Sequence, residues 1–232
     1  MKNPDIKKIF ETIAGGYDFQ NRLLSLGIDT WWRKKMVQSI QNNAQGLVLD
    51  MATGTAEVAL EIVGQRPNVT VIGGDFSPNM LRIGTEKIRR RGFANRIRTF
   101  IGDARKLPFK NAQFDAITIA FGIRNIRERE KTLGQFYSVL KPGGQLIIME
   151  FGFPRTPLLG PLYHFYFNKI LPRVGDKISR TGYAYSYLAN SVHEFPVNED
   201  FIRMIEGVGF QDVKIKKLTL GIAVLFMGKK SF

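Results

Sequence analysis

Leu47-Val-Leu-Asp50-Met-Ala-Thr-Gly54-Thr55-Ala56 is an apolar run that ends in an acid and then in a turn of small residues. That is the pattern of a buried strand opening into a ligand-binding loop. Two later runs repeat it: Val69-Thr-Val-Ile-Gly-Gly ends in Asp75, and Ile97-Arg-Thr-Phe-Ile-Gly102 ends in Asp103-Ala104. Three successive strands therefore deliver a carboxylate to one edge of a sheet, the edge at which open α/β sheets bind ligands. Strands at 47–51, 69–74, 97–101, 114–121 and 145–151 are separated mostly by helical stretches at 57–65, 78–90 and 127–140. Short apolar strands between helices predict a mostly parallel sheet covered on both faces.

Additions flank this core. Asp5 to Ile13 and Phe19 to Leu26 read as short helices, followed by a helix capped at Asp29 and running from Thr30 to about Gln41. Ser77-Pro78 supplies an N-cap and a first-turn proline, and Lys141-Pro142-Gly143-Gly144 stops the 127–140 helix. Residues 153–196 change to aromatic-rich helix punctuated by proline, an insertion after the fifth strand. The chain closes with a helix near Glu199 to Gly207 and strands at 210–219 and 222–228, joined too tightly for a crossover and so antiparallel. One domain over 1–232 is expected, divided as N-terminal helices (1–46), α/β core (47–151), helical insertion (153–196) and closing helix and strands (197–232).

The 232 residues are 44% hydrophobic, enough for one large core. No apolar stretch approaches the about 18 residues of a membrane span, and Met1-Lys-Asn-Pro-Asp5 lacks the apolar segment of a signal peptide. The expectation is a soluble or peripheral protein kept in the cytoplasm. The absence of cysteine excludes disulfides, thiolate metal sites and cysteine nucleophiles. The net charge of +14 is spread along the chain, with one dense run at Arg89-Arg90-Arg91. That distribution favours an anionic membrane surface, or plain solubility, over a nucleic-acid groove.

A pyrophosphate cradle needs a glycine-rich turn at a helix N-terminus, whereas this first loop has only Gly54 between Ala52 and Ala56. Such a loop allows close backbone approach by a cofactor without a pyrophosphate, which suits the aminocarboxypropyl and ribose parts of S-adenosylmethionine. Asp75 is then placed to accept hydrogen bonds from the ribose hydroxyls, Asp103 from the adenine amino group, and Ala104 to offer a backbone N–H. Thr55 is a candidate direct contact. Asp50 reads equally as a ligand contact or as a structural carboxylate tying the loop down.

Seven strands with an antiparallel last pair describe the class I S-adenosylmethionine-dependent methyltransferase fold, a Rossmann-like sheet, better than a dinucleotide dehydrogenase. Longer motifs carry a closer resemblance: Phe10-Glu-Thr-Ile-Ala-Gly-Gly-Tyr17-Asp18, Asn21-Arg-Leu-Leu-Ser-Leu-Gly27, Leu107-Pro-Phe109, Phe114-Asp115, Phe121-Gly-Ile-Arg-Asn125, Val139-Leu-Lys-Pro-Gly-Gly144 and Glu150-Phe151. With Leu171-Pro-Arg-Val-Gly175, Tyr185-Ser-Tyr-Leu188 and Phe195-Pro196, the chain resembles the ubiquinone/menaquinone-biosynthesis C-methyltransferases (UbiE/MenG type) from about residue 10 onward. Lys-Pro-Gly-Gly is common to many methyltransferases; Phe121 to Asn125 together with Tyr17-Asp18 is specific. The chain departs from that family at the first loop, where Gly54-Thr55-Ala56-Glu57 replaces the usual Gly-Thr-Gly-Asp. It departs again at His164, where the family often has aspartate.

The resemblance implies methyl transfer from S-adenosylmethionine to a ring carbon of a polyprenylated quinol such as demethylmenaquinol, with no metal. A quinol that loses a hydroxyl proton pushes electron density into the ring, and the adjacent carbon becomes the nucleophile. Arg124, just past the fourth strand, would stabilise the phenolate and orient a water that takes the proton; the plain alternative is a structural ion pair or carbonyl clamp. Gly122 would leave room for the substrate, Asn125 would position it, and Tyr17 would reach a quinol oxygen from an N-terminal lid unless it is an ordinary half-buried tyrosine. His164 is a candidate proton acceptor, and Phe165 and Phe167 read either as a roof over the prenyl tail or as core. Implied partners are the quinol and, weakly, the anionic inner face of the cell membrane; a homodimer is compatible, and nucleic acid is not expected. A nucleic-acid methyltransferase commonly carries an Asn/Asp-Pro-Pro-aromatic turn where this chain has Phe121 to Asn125. A methyltransferase acting on another hydrophobic small molecule and a non-catalytic S-adenosylmethionine-binding protein are the remaining alternatives.

Overall fold

The computed structural model describes residues 6–41, 46–154, 156–157, 159–171, 173, 175, 184–196 and 198–232. Asp5, where the first helix was expected to begin, and Pro172 and Val174 of the Leu171 to Gly175 motif lie outside them. Strands β1 (Leu47–Met51), β2 (Thr70–Asp75), β3 (Ile97–Ile101), β4 (Phe114–Ala120), β5 (Leu140–Phe151), β6 (Gln211–Leu218) and β7 (Ala223–Lys229) form one sheet in the order β3-β2-β1-β4-β5-β7-β6. The first five are parallel, and β7 runs antiparallel to both neighbours.

Period-two alternation sorts the strand side chains between two cores. Val48, Ala116 and Ile147 point to one face, where they meet helices α3 (Ile28–Gln38) and α4 (Glu57–Gln65). Leu49, Ile117 and Ile148 point to the other, against α6 (Arg129–Val139) and α9 (Asn198–Gly207). The sheet's strand order reverses between β1 and β4, so the chain's crossovers diverge there and leave a crevice at the strands' C-terminal ends. A third cluster stands over that crevice. It joins Ile9 and Ile13 of α1 (Ile6–Ile13) to Phe167 and Leu171 of the insertion and to Ala189 and Val192 of α8 (Ala184–His193).

Local details correct three expectations. Asp29 is not the cap of α3: Gly27 takes that position at φ +78, and Asp29 lies in the first turn with its carboxylate on Ser25 Oγ (2.9 Å) and Arg33 (2.7 Å). α3 also ends at Gln38, short of Gln41. Lys141 to Gly144 follow the end of α6 but already belong to β5, paired through Gly143 and Gly144 with Lys230, with a register shift against β4. Ser77 does cap α5 (Pro78–Arg90), accepting from Met80 N–H. The insertion opens with α7 (Leu159–Phe165) and continues into a π-turn at Tyr166–Ile170.

Candidate functional site

The loop after β1 is shaped by strain and held by two buried carboxylates. Ala52, Gly54 and Ala56 all have positive φ (+52, +55 and +66), a left-handed backbone that costs an alanine about 1–2 kcal/mol. Asp50 sits beneath, fully buried, accepting from Thr53 Oγ1 (2.6 Å) and Thr118 Oγ1 (2.7 Å). Burial pushes its carboxyl up to about 6, against the pull of those two hydroxyls. Asp75, at the end of β2, accepts from Gly54 N–H (2.8 Å) and Ser77 N–H (2.9 Å), tying the first loop to the second. Burial raises its pKa while the backbone donors hold it down. Four lone-pair sites less two bonds leave Asp75 acceptor capacity for a ligand. Gly84 of α5 completes the loop, since a Cβ there would stand 3.1 Å from Gly54 O.

Above the loop lies a cavity of about 710 Å³, within the range of small-molecule sites. Gly54, Thr55, Asp75, Asp103, Ala104 and Gly122 line it, with Tyr17, Arg124 and Asn125. Its cover is the N-terminal helices, clamped by polar contacts: Thr55 Oγ1 donates to Asp18 (2.5 Å), Ser77 Oγ donates to Glu11 (2.6 Å), and Lys87 bridges Asp18 and Glu57. At the rim, Arg105 grips Asp103 through its side chain and backbone N–H and holds the carboxyl below its ordinary range. Arg105 also reaches Glu128 (2.8 Å).

The inner wall is built around Arg124, only 8% exposed. Its Nη1 donates to Glu150 Oε1 (2.7 Å) and to the carbonyl of Phe121, its Nε to Ser191 Oγ (3.3 Å), and its guanidinium lies 5.3 Å from the centre of the Phe151 ring. Both plain alternatives, ion pair and carbonyl clamp, are therefore present. The Nη2 group makes no hydrogen bond to a described residue. Phe121 is itself held at φ +55, strain of the sort that clusters at functional sites. Tyr187 donates to Asn125 Oδ1 (2.9 Å). Burial raises the pKa of Tyr17 and Tyr187 alike, partly offset by nearby Arg124, so both phenols stay protonated donors.

A second cavity of about 290 Å³ shares Tyr17, Phe121, Arg124 and Tyr187 with the first. The rest of its lining is mostly apolar, including Trp32, Phe151, Tyr163, Phe167, Leu171 and Leu188, with Asn21, Ser25, Asp29 and Arg33 as the polar exceptions. One polar cavity and one greasy cavity thus meet at a wall that carries a guanidinium and two phenols.

The model of the ubiE/COQ5 methyltransferase family matches residues 1–230. The chain belongs to that family. It is similar to the "Ubiquinone/menaquinone biosynthesis C-methyltransferase UbiE" of Geotalea daltonii, 46% identical over 99% of this chain and 97% of that protein. It is also similar to the "Demethylmenaquinone methyltransferase" of Thermus thermophilus, 42% identical over 96% of this chain and all of that one. Among solved structures, an S-adenosylmethionine-dependent methyltransferase from Aquifex aeolicus shares the fold, with a TM-score of 0.62 at 16% identity over 85% of this chain and 88% of that one. The protein is a class I methyltransferase that uses S-adenosylmethionine. The first cavity fits that cofactor on its own terms: a backbone approachable at Gly54, a half-satisfied buried carboxylate at Asp75, and no glycine-rich pyrophosphate turn.

The family's expected residues are not all at the crevice. Asp50 lies beneath the loop and lines neither cavity, because its oxygens are taken by the hydroxyls of Thr53 in the loop and Thr118 in β4. Gly122 does line the first cavity, yet the space its missing side chain leaves belongs to Ala52, whose Cβ would be 2.5 Å from a Cβ at 122. His164 lines neither cavity; it stacks on Phe153 at 4.5 Å, beside His193. Phe165 also lines neither and is 58% exposed, since two residues of helix separate it from Phe167 by more than half a turn, and Phe167 is the one that faces the second cavity. Leu158, beside them in the sequence, lies outside the described residues. Glu150 was given no role from sequence, although it ends the fifth apolar run as Asp50 and Asp75 end theirs. Tyr187 and Ser191 carried no such signal, because only the packing of α8 brings them to Arg124.

Proposed function

We propose that this enzyme methylates a ring carbon of a polyprenylated quinol, foremost demethylmenaquinol, in menaquinone or ubiquinone biosynthesis. The observation that carries the reading is the apolar cavity opening off the cofactor cavity across Tyr17, Phe121, Arg124 and Tyr187. The printed activities of the two relatives point the same way. S-adenosylmethionine would supply an electrophilic methyl group and leave as S-adenosylhomocysteine, and the ring carbon that takes the methyl would lose its hydrogen as a proton. Asp75 would accept from its ribose, the Gly54 to Thr55 backbone would admit its aminocarboxypropyl arm, and Asp103 and Ala104 would face the adenine. The second cavity would take the first part of the prenyl tail, under Phe167 in the insertion acting as a lid.

The reacting ring would then lie at the shared wall. A phenolate formed there gains from donors that are already oriented and shielded from water. Tyr17 offers an O–H group, Tyr187 holds Asn125 in place through its own O–H, and Arg124 offers an Nη2 that no described residue takes up. Because Glu150 neutralises most of the guanidinium's charge, Arg124 acts here as an oriented donor and dipole more than as a bare cation. Arginine is too weak an acid to serve as the base, so a water held at this wall would take the proton. Fixing ring carbon and methyl in line is the larger contribution, up to about 7–11 kcal/mol. No helix among the described residues is long and apolar enough to cross a membrane. Weak peripheral association with the anionic inner face of the cell membrane completes the proposal.

Methyl transfer measured with reduced and oxidised demethylmenaquinone tests it. Only the quinol should react, at a rate rising with pH as the phenolate forms. Shortening the prenyl tail should raise KM more than it lowers kcat, as loss of uniform binding does. Equal rates with quinone and quinol would overturn the mechanism.

A further inference from the structure

Large apolar side chains stand in water around one opening of this molecule. Leu26 lines the apolar cavity and is 85% exposed, which marks it as part of the cavity's mouth. On the α2 (Tyr17–Leu24) and α3 side of that mouth, Phe19 is 68% exposed, with Leu23 and Trp31 about half exposed. On the opposite side, Tyr166 donates to Leu24 O at 2.8 Å and so brings up α7, whose Leu162 and Phe165 are both mostly exposed. The β6 to β7 turn closes the collar: Trp32 Nε1 donates to Thr219 Oγ1 at 2.8 Å, next to exposed Leu220, and Ile222 lines the cavity.

Basic side chains outnumber carboxylates around this collar. Arg22 and Lys34 are exposed beside it, Lys35 lies 5.7 Å from the Trp31 ring, and Lys216 and Lys217 precede the turn. The carboxylates beside it are held by cations: Asp29 is buried on Arg33, Asp18 and Glu57 both meet Lys87, Glu57 lies 4.0 Å from Arg22, and Asp212 lies 3.9 Å from Lys229. An apolar ring with a basic margin matches the interface of an anionic bilayer, where acyl chains meet negative headgroups.

We propose that this collar is the face on which the protein docks to an anionic bilayer, with the mouth of the apolar cavity turned toward the acyl chains. Resting on the quinol reading above, it gives the prenyl tail a path from lipid into the cavity without crossing water. It also explains why the insertion leaves Phe165 outside the site.

The test uses the full chain and vesicles of phosphatidylcholine with and without phosphatidylglycerol. The protein has two tryptophans, and Trp32 is buried while Trp31 is not. Brominated acyl chains should therefore quench fluorescence in the parent, and Trp31→Phe should abolish the quenching while leaving vesicle partition intact. Replacing Phe19, Leu23 and Trp31 together by serine should weaken partition by up to about a thousandfold, since each of the three buried side chains contributes roughly tenfold. Turnover of a short-chain quinol in solution should survive that change. Failure of the parent to bind phosphatidylglycerol vesicles would overturn the proposal, as would partition untouched by the triple change. So would a parent dimer that ignores vesicles and dissociates in the triple variant, because the collar would then be covered by a second copy. Docking that persists in a protein methylating no quinol would sink the functional reading and leave the docking face standing.

Discussion

Glu150→Gln removes one charge from the wall between the two cavities and almost no volume. In the parent, the Glu150 carboxylate is wholly buried and accepts from Arg124 Nη1 (2.7 Å), from Arg124 N–H (3.2 Å) and from Phe151 N–H (3.0 Å). An amide keeps one acceptor oxygen for those three donors and leaves the guanidinium without a counter-charge in a site where water cannot replace it. Breaking a buried pair by removing one partner costs about 3–5 kcal/mol. For a chain of this size that lowers Tm by about 6–20 °C. Calorimetric unfolding without cofactor measures it directly. Adding Arg124→Met should restore part of the loss, because it removes the buried charge that Glu150→Gln leaves without a partner. Turnover should not return, since Nη2 goes with the guanidinium. A Glu150→Gln variant within about 0.5 kcal/mol of the parent would refute the reasoning, showing that Arg124 does not depend on Glu150 for its charge balance.

Asp75→Ala should weaken S-adenosylmethionine binding by roughly ten- to a hundredfold in calorimetry, because it removes ribose acceptors and frees Gly54 N–H; unchanged affinity in a folded variant would remove that role. Gly122→Ala should cost about 1–3 kcal/mol in denaturant unfolding and weaken the cofactor as well, because its Cβ meets Ala52 at 2.5 Å and pushes the first loop. A neutral result would mean that Ala52 yields freely. The Asp50 carboxyl, raised from 3.8 to about 6, keeps in the folded state a proton that the unfolded chain has released between those values. Its contribution to stability is therefore full below about pH 4 and lost as pH rises through 6, by about 3 kcal/mol. Asp50→Asn should flatten that slope in urea titrations, and a parent-to-variant difference that does not change with pH would count against it.

Much of this was legible in the chain because it depends on local rules. Alternating apolar runs and caps such as Ser77 fix strand and helix, and acids ending the first two strands mark the ligand edge, so Asp75, Gly54 and the antiparallel closing pair could be placed from sequence. Phe121 to Asn125 and Tyr17-Asp18 pointed to the family and so to the chemistry. What sequence could not decide is which neighbour a polar group meets across the fold. Asp50 and Asp75 carry the same signal, but the hydroxyls of Thr53 in the loop and Thr118 in β4 claim Asp50, whereas Asp75 keeps free lone pairs at the crevice. Gly122 makes room for Ala52 because β1 and β4 lie side by side, a pairing between residues far apart in sequence. Arg124 is drawn to Glu150 from β5 and to Ser191 from α8, and helical periodicity sets Phe165 and Phe167 on opposite sides without deciding which side meets the cavity. Secondary structure and chemical type follow from short-range sterics and patterning; partners, burial and the division into two cavities follow from long-range packing, which only the folded chain decides.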